Sequence, residues 1–196
     1  MGGFDPSRFN NPVALRTDWT PLKAGGVSIE IQRLERCDYG MHFVPSPVAR
    51  VLGWACQLFG VGTIGFFGPF SIEQGIPTLS LYKQPLTALV VGLVFAGIGA
   101  WTLHMAKLRN EFDTISGEFI QGNQPPLRLS EVHALQLLGE LIQGNKGSYT
   151  SYELNLVLHS GERVNVVDQN NLDRLYSDAK NLAAHLDKPL WDITAK

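Results

Sequence analysis

The sequence predicts a membrane α+β protein, in which two transmembrane helices are joined to a soluble antiparallel sheet with a C-terminal helix. Two observations predict the membrane part and its topology: a pair of long uncharged runs, and basic residues gathered at the outer ends of that pair. A third predicts the rest, because after residue 111 the apolar period is two until about residue 167 and then becomes three to four.

Residues 51–70, VLGWACQLFGVGTIGFFGPF, carry no charge, and neither do residues 86–105, LTALVVGLVFAGIGAWTLHM. A run of about 20 residues at about 1.5 Å each spans roughly 30 Å, the thickness of the hydrocarbon layer of a bilayer. Pro85 suits the first turn of the second helix. Charged residues make up 17% of the chain and the mean hydropathy is +0.00, ordinary values that conceal how the apolar residues cluster in these runs. The organisation is thus an N-terminal segment (1–47), a helical hairpin (48–106) and a soluble domain (107–196). Arg36 and Arg50 precede the first span, Lys107 and Arg109 follow the second, and the connector between them holds one basic residue, Lys83. The positive-inside rule therefore places both termini in the cytoplasm. Trp54 and Trp101 fall near that interface and Tyr82 near the opposite one, where amphipathic rings prefer to sit.

The spans are rich in small residues. Gly92, Ala96 and Ala100 recur every fourth residue, and Gly60, Gly62, Gly65 and Gly68 crowd the outer half of the first span. Close backbone approach drives helices together in lipid. These residues serve either the packing of the two helices on each other or the docking of another membrane protein. Apart from Cys56, His104 is the one ionisable group in the spans; it lies at the cytoplasmic end, within reach of water, and no proton relay follows from it.

In the soluble domain, Phe112-Asp113 and residues 118–121 flank Ser116-Gly117, a hairpin signal. Residues 127–142 fit two periods. Ser130 could cap a helix bearing Val132, Leu135 and Leu138, but His133, Leu135 and Leu137 also alternate as a strand, which the turn at residues 144–147 favours. Residues 149–159 are the clearest strand, with Tyr152, Leu154, Leu156 and Leu158 on one face and Glu153, Asn155, Val157 and His159 on the other. Residues 160–162 turn it into a strand at 163–167. The loop Asp168-Gln169-Asn170-Asn171 then offers an Asn to cap an amphipathic helix carrying Leu172, Leu175, Ala179, Leu182 and Leu186, Pro189 stops it, and Trp191 packs back on the sheet. Strands closed by one C-terminal helix make a pleckstrin-homology-like plan. Near the N-terminus, residues 1–11 are rich in Gly, Pro and Asn and are expected to be loose. Residues 27–34 alternate as a strand, with residues 41–44 as partner. This pair either joins the C-terminal sheet or lies as a separate hairpin on the membrane, and the first is favoured because a lone hairpin is barely stable in water.

The residues disclose no catalytic, cofactor-binding or metal constellation. His42, His104, His133, His159 and His185 fit no metalloprotease, hydrolase or Cys-His motif, although His133 and His159 are candidate cross-strand neighbours. Residues 144–147 lack the spacing of a phosphate loop. Cys37 and Cys56 do not pair, since one lies inside a span and the other outside. The first 40 residues hold no apolar core of a cleavable signal, and Pro6 stands where myristoylation needs Ser or Thr. A net charge of −2 gives no field for nucleic acid. Residues 107–196 carry nine Lys or Arg against twelve Asp or Glu, which suits anionic lipid poorly.

From the first span to the C-terminus the layout resembles the photosystem I assembly proteins of chloroplasts and cyanobacteria. Phe112-Asp113 followed by Gly117, then Leu129-Ser130-Glu131-Val132, and the ending Ala179-Lys180-Asn181-Leu182-Ala183 with Leu186 and Pro189 are similar. The N-terminus here is longer, with its own strand pair, and the loop before Leu127 is shorter. The chain also resembles bacterial inner-membrane proteins with pleckstrin-homology-like domains. The resemblance implies a non-enzymatic accessory, assembly or scaffold protein of the bacterial inner membrane. Its partners would be a larger membrane protein complex, or copies of itself, together with membrane lipid. A membrane-anchored lipid or surface sensor is the rival reading.

Overall fold

The computed structural model describes residues 4–22, 25, 30–73, 79–106, 110–144 and 147–194. In chain order the elements are a 3₁₀ turn (Pro6–Phe9), α1 (Pro12–Arg16), β1 (Gln32–Cys37), β2 (Gly40–Pro45), α2 (Pro47–Glu73) and α3 (Leu79–Ala106). These are followed by β3 (Asn110–Asp113), β4 (Glu118–Gln121), β5 (Leu127–Arg128), a second 3₁₀ turn (Leu129–Glu131), β6 (Val132–Gly144), β7 (Gly147–Leu158), β8 (Arg163–Gln169), α4 (Leu172–Leu186) and β9 (Leu190–Asp192). They form two compact units: Met1–Val44 together with Leu108–Lys196, and Pro45–Lys107.

The second unit is the helix pair. α2 begins one turn ahead of Val51, because Ser46 Oγ accepts the Ala49 N–H at 3.0 Å and Pro47 fits the first helical position. α3 begins at Leu79, so Pro85 lies within the helix and not in its first turn. Pro47–Gly65 and Leu86–His104 are long and apolar enough to cross a membrane. The helices meet along a seam of glycines. Gly53, Gly60, Gly92 and Gly99 are all buried, at spacings of seven within each helix. Tyr82, Lys83, Lys107 and Arg109 lie outside the residues whose side chains are described.

The first unit is mixed α+β with two sheets, where the sequence suggests one curved sheet. One runs β1-β2-β3-β4-β5 and the other β8-β7-β6-β9. The break falls at Leu129–Glu131, whose 3₁₀ turn separates β5 from β6. The N-terminal strands do join the later ones: β2 pairs antiparallel with β3, setting Phe43 opposite Asn110 and Met41 opposite Phe112. β1 covers Gln32–Cys37, later than the strand expected at 27–34, of which residues 27–29 lie outside the described residues. Residues 132–144 are strand and not helix. Unbroken pairing with β7 from Ala134↔Val157 to Gly144↔Gly147 decides an assignment that local periodicity leaves open. β9 pairs parallel with β6, setting Leu135 opposite Leu190 and Gln136 opposite Trp191, so the sheet is not wholly antiparallel.

One core lies among both sheets and α4. Phe112 and Phe119 stack at 4.7 Å between ring centres, beside Met41, Phe43, Leu135, Leu137, Leu154 and Leu156. α4 contributes Leu175, Ala179 and Leu182. Asn171 Oδ1 caps its first turn by accepting the Arg174 N–H at 3.1 Å, and Asp187 ends it in the left-handed region at φ 53°.

α4 is also tied to β1 by a buried carboxylate. Asp178 Oδ2 accepts the Leu34 N–H at 3.1 Å, and Arg174 Nε lies 3.6 Å from Oδ1. Burial pushes the Asp178 carboxyl above its usual range, against the opposing pull of the Leu34 N–H. Asp178→Ala is expected to destabilise the protein by about 1–3 kcal/mol, because the Leu34 N–H loses its acceptor. Asp178→Asn keeps an acceptor oxygen and should lose less. Chemical denaturation of the two variants checks this, and equal midpoints would refute it.

Candidate functional site

The most elaborate polar arrangement lies on the outer face of the four-stranded sheet. On β7 the sequence assigns Glu153, Asn155, Val157 and His159 to a face away from the core. The structure covers that face with residues 4–22, the stretch whose first part was expected to be loose. Local chemistry holds it in shape. Asp5 Oδ1 accepts the Ser7 N–H at 2.9 Å, and Asn11 Oδ1 accepts the Val13 N–H at 2.9 Å. Trp19 Nε1 donates to the Ala14 carbonyl at 3.0 Å. Below it, Val13 and Ala14 are buried against Ala134, Val157 and Trp191. Phe9 stacks on Trp19 at 5.2 Å and on Trp191 at 5.6 Å.

Beyond this apolar patch the sheet holds the strap by its backbone. Gln136 Nε2 donates to the Asp18 carbonyl at 3.0 Å, Arg163 Nη1 donates to the Thr20 carbonyl at 2.7 Å, and Glu153 accepts the Leu22 N–H at 3.0 Å. Side chains of three neighbouring strands, Gln136, Arg163 and Glu153, thus each hold one backbone group of residues 18–22. Gln136 and Asn155 are fully buried and joined through Asn155 Nδ2 to Gln136 Oε1 at 3.3 Å. Arg163 also donates to Gln136 Oε1 at 3.2 Å, and its Nη2 lies 3.3 Å from Asp18 Oδ2. The Asp18 carboxyl is held below its usual range, first by the Thr20 backbone and hydroxyl hydrogen bonds and then by Arg163.

At one end of this face, His133 and His159 are in contact, with Nδ1 atoms 3.2 Å apart. Arg16 of α1 donates to the His159 carbonyl at 3.0 Å. Burial, then the neighbouring His159, Lys188 and Arg16, hold His133 below its ordinary value of 6.5. A histidine with a depressed folded pKa binds its proton more readily in the unfolded chain. Its contribution is therefore fully present above 6.5 and is lost as the pH falls through the folded value. Melting temperature is expected to drop between about pH 8 and about pH 5, and His133→Gln should shrink the drop. An identical profile for the variant would refute the assignment.

Of the small residues proposed as helix-packing or partner contacts, Gly60, Gly92 and Ala96 lie together in the seam. A Cβ at Gly65 would meet nothing within 4 Å, and Ala100 is exposed. Gly68 lies outside the residues whose side chains are described. The sequence reading missed Gly53 and Gly99, which a spacing of seven would have found. It also missed Asp18, Gln136 and Arg163. The one local sign was Gln136 interrupting the apolar run Ala134-Leu135-Gln136-Leu137-Leu138. Among the described residues, no group of three or more His, Cys, Asp or Glu is placed to hold a metal ion. No protein-family model, curated protein or solved structure matches the chain.

Proposed function

We propose that the chain is a non-enzymatic integral membrane protein that helps to assemble or stabilise a larger membrane complex, with its α+β unit, a pleckstrin-homology-like module, on the cytoplasmic side. The observation that carries the membrane assignment is the outer surface of the helix pair. Trp54, Leu58, Phe59, Leu89, Leu93, Val94 and Trp101 are all exposed, and only 17% of each apolar window is buried. Water would not tolerate so continuous an apolar surface, whereas lipid demands one. The hydroxyls of Thr63 and Thr102 bond back to the Phe59 and Ile98 carbonyls at 2.7 and 2.9 Å, as polar groups in hydrocarbon need. Two crossings also suit the pairing of β2 with β3. The chain leaves the sheet after Phe43 and resumes beside it at Asn110, as a segment that crosses an even number of times would.

The assembly role draws on the resemblance to photosystem I assembly proteins and on the polar face of the α+β unit. Its buried side chains are engaged in holding the protein's own backbone, as in a structural module. Gly65 and Ala100, outside the seam, remain for contact with a client helix. The test is extraction in mild detergent, purification through a C-terminal tag and mass spectrometry of what accompanies the chain. A stoichiometric membrane protein is expected. Repeated recovery of the chain alone would overturn the assembly reading.

A further inference from the structure

We propose that His133 and His159 form a two-imidazole chelate for a borderline divalent transition-metal ion such as Zn²⁺ or Cu²⁺. The geometry carries it. Two imidazoles bound to one ion at about 2.0–2.1 Å with a near-tetrahedral angle place their nitrogens roughly 3.3 Å apart. Each ring centre lies about 1.1 Å further back, so the centres fall roughly 5 Å apart. Here the Nδ1 atoms are 3.2 Å apart and the ring centres 4.9 Å apart. A head-on hydrogen bond of the same length would separate the ring centres by more, roughly 5.5 Å.

The fold sets this bite. His133 sits at an irregularity in the β6–β7 register, between Val132 and Ala134, and such bulges re-aim a side chain. His159 follows the last residue of β7, and its N–H is fixed by the Glu131 carbonyl at 3.0 Å. Trp191 backs the His133 ring at 5.6 Å between centres. His159 is exposed, so an ion can reach the pair from water.

Without metal, the contact is made by one Nδ1–H donating to the other Nδ1. Binding then needs only a tautomer shift on the donor ring, moving that proton to Nε2, and no net release. Two protein ligands leave the other positions open to water or a small anion, whose charge would offset the repulsion between the ion and the nearby Arg16 and Lys188. Imidazole nitrogens select Zn²⁺, Cu²⁺ or Ni²⁺ over Mg²⁺ or Ca²⁺.

The test uses the full chain in detergent, without a histidine tag, titrated with Zn²⁺ alone while thermal unfolding is followed. A saturable rise in melting temperature is expected, lost in His159→Gln and retained in His42→Gln, with Mg²⁺ giving none. The exposed His159 can be replaced without disturbing the core. With Cu²⁺, electron paramagnetic resonance should show two coordinated imidazole nitrogens in the wild type and at most one in His159→Gln. Unchanged Zn²⁺ stabilisation in His159→Gln, no saturable rise in the wild type, or an equal rise with Mg²⁺ would each overturn the proposal.

Discussion

Gly60→Leu is expected to drive α2 and α3 apart. A Cβ on Gly60 would lie 2.5 Å from the Gly92 carbonyl oxygen and 2.6 Å from the Ala96 nitrogen. Both are backbone atoms of a helix, which cannot swing aside as a side-chain tip can. Overpacking costs about 1–3 kcal/mol where neighbours can adjust, and the upper end of that range applies here. Gly99→Leu meets the same obstacle from the other helix, since its Cβ would lie 2.7 Å from the Gly53 carbonyl oxygen. Gly62→Leu supplies the control, because a Cβ there meets nothing within 4 Å. Melting of the three variants in detergent should show Gly60→Leu and Gly99→Leu clearly lowered and Gly62→Leu close to the parent. Equal melting of Gly60→Leu and Gly62→Leu would mean that the seam does not hold the pair.

Arg163→Ala should have the largest effect in the α+β unit. The guanidinium is buried, with 4% of its side chain exposed, and it holds the Thr20 carbonyl, Gln136 Oε1 and Asp18 together. Hydrogen bonds from a charged donor contribute about 1.5–3 kcal/mol each. The Asp18 side chain is 63% exposed and regains water when the arginine is lost, so the ion pair itself adds little. The expected loss is on the order of 3 kcal/mol, concentrated in the release of residues 18–22 from the sheet. Limited proteolysis should then cut the N-terminal segment while the remainder persists. Asp18→Asn should do much less. A protease pattern unchanged in Arg163→Ala would show that the strap is held by its aromatic patch alone.

The parts of this fold that were legible in the sequence are those whose signal is local. The two apolar runs, the strand at 149–159 and the C-terminal helix each announce themselves within a dozen or so residues, through absence of charge, a period of two, or a period near 3.6. Asn171 and Pro189 mark the ends of that helix in the same way. What was not legible depends on residues far apart. Phe9 looks like an ornament of a loose tail, and Trp19 carries no local signal, until Trp191 stands beside them. Glu153 and Asn155 look like the wet side of a strand until the backbone of residues 18–22 covers them. Ala100 continues the spacing of Gly92 and Ala96 in the sequence, yet the seam drifts to Gly99, because a helix packed along a partner repeats every seven residues and not every four. The closeness of His133 and His159 was foreseeable from strand pairing, but the bulge that turns their nitrogens toward each other was not.

The placement of the two ends of the chain has a consequence in time. Arg8 donates to the Asp192 carbonyl at 2.7 Å across 184 residues, and Phe9 stacks on Trp191. At a synthesis rate of about 5–20 residues per second, roughly 10–40 s pass between the appearance of the first and the last of these residues. Phe9 and Trp19 have no sheet to cover until β6, β7 and β8 are made, and β1 and β2 wait for β3 while the apolar helices between them are made. The closing event is the arrival of Leu190–Asp192, three residues that complete a sheet and seat the strap begun at the opposite terminus. A chain interrupted before Leu190 would present the strap with β6, β7 and β8 to cover, but without the β9 edge and the Trp191 ring on which Phe9 stacks.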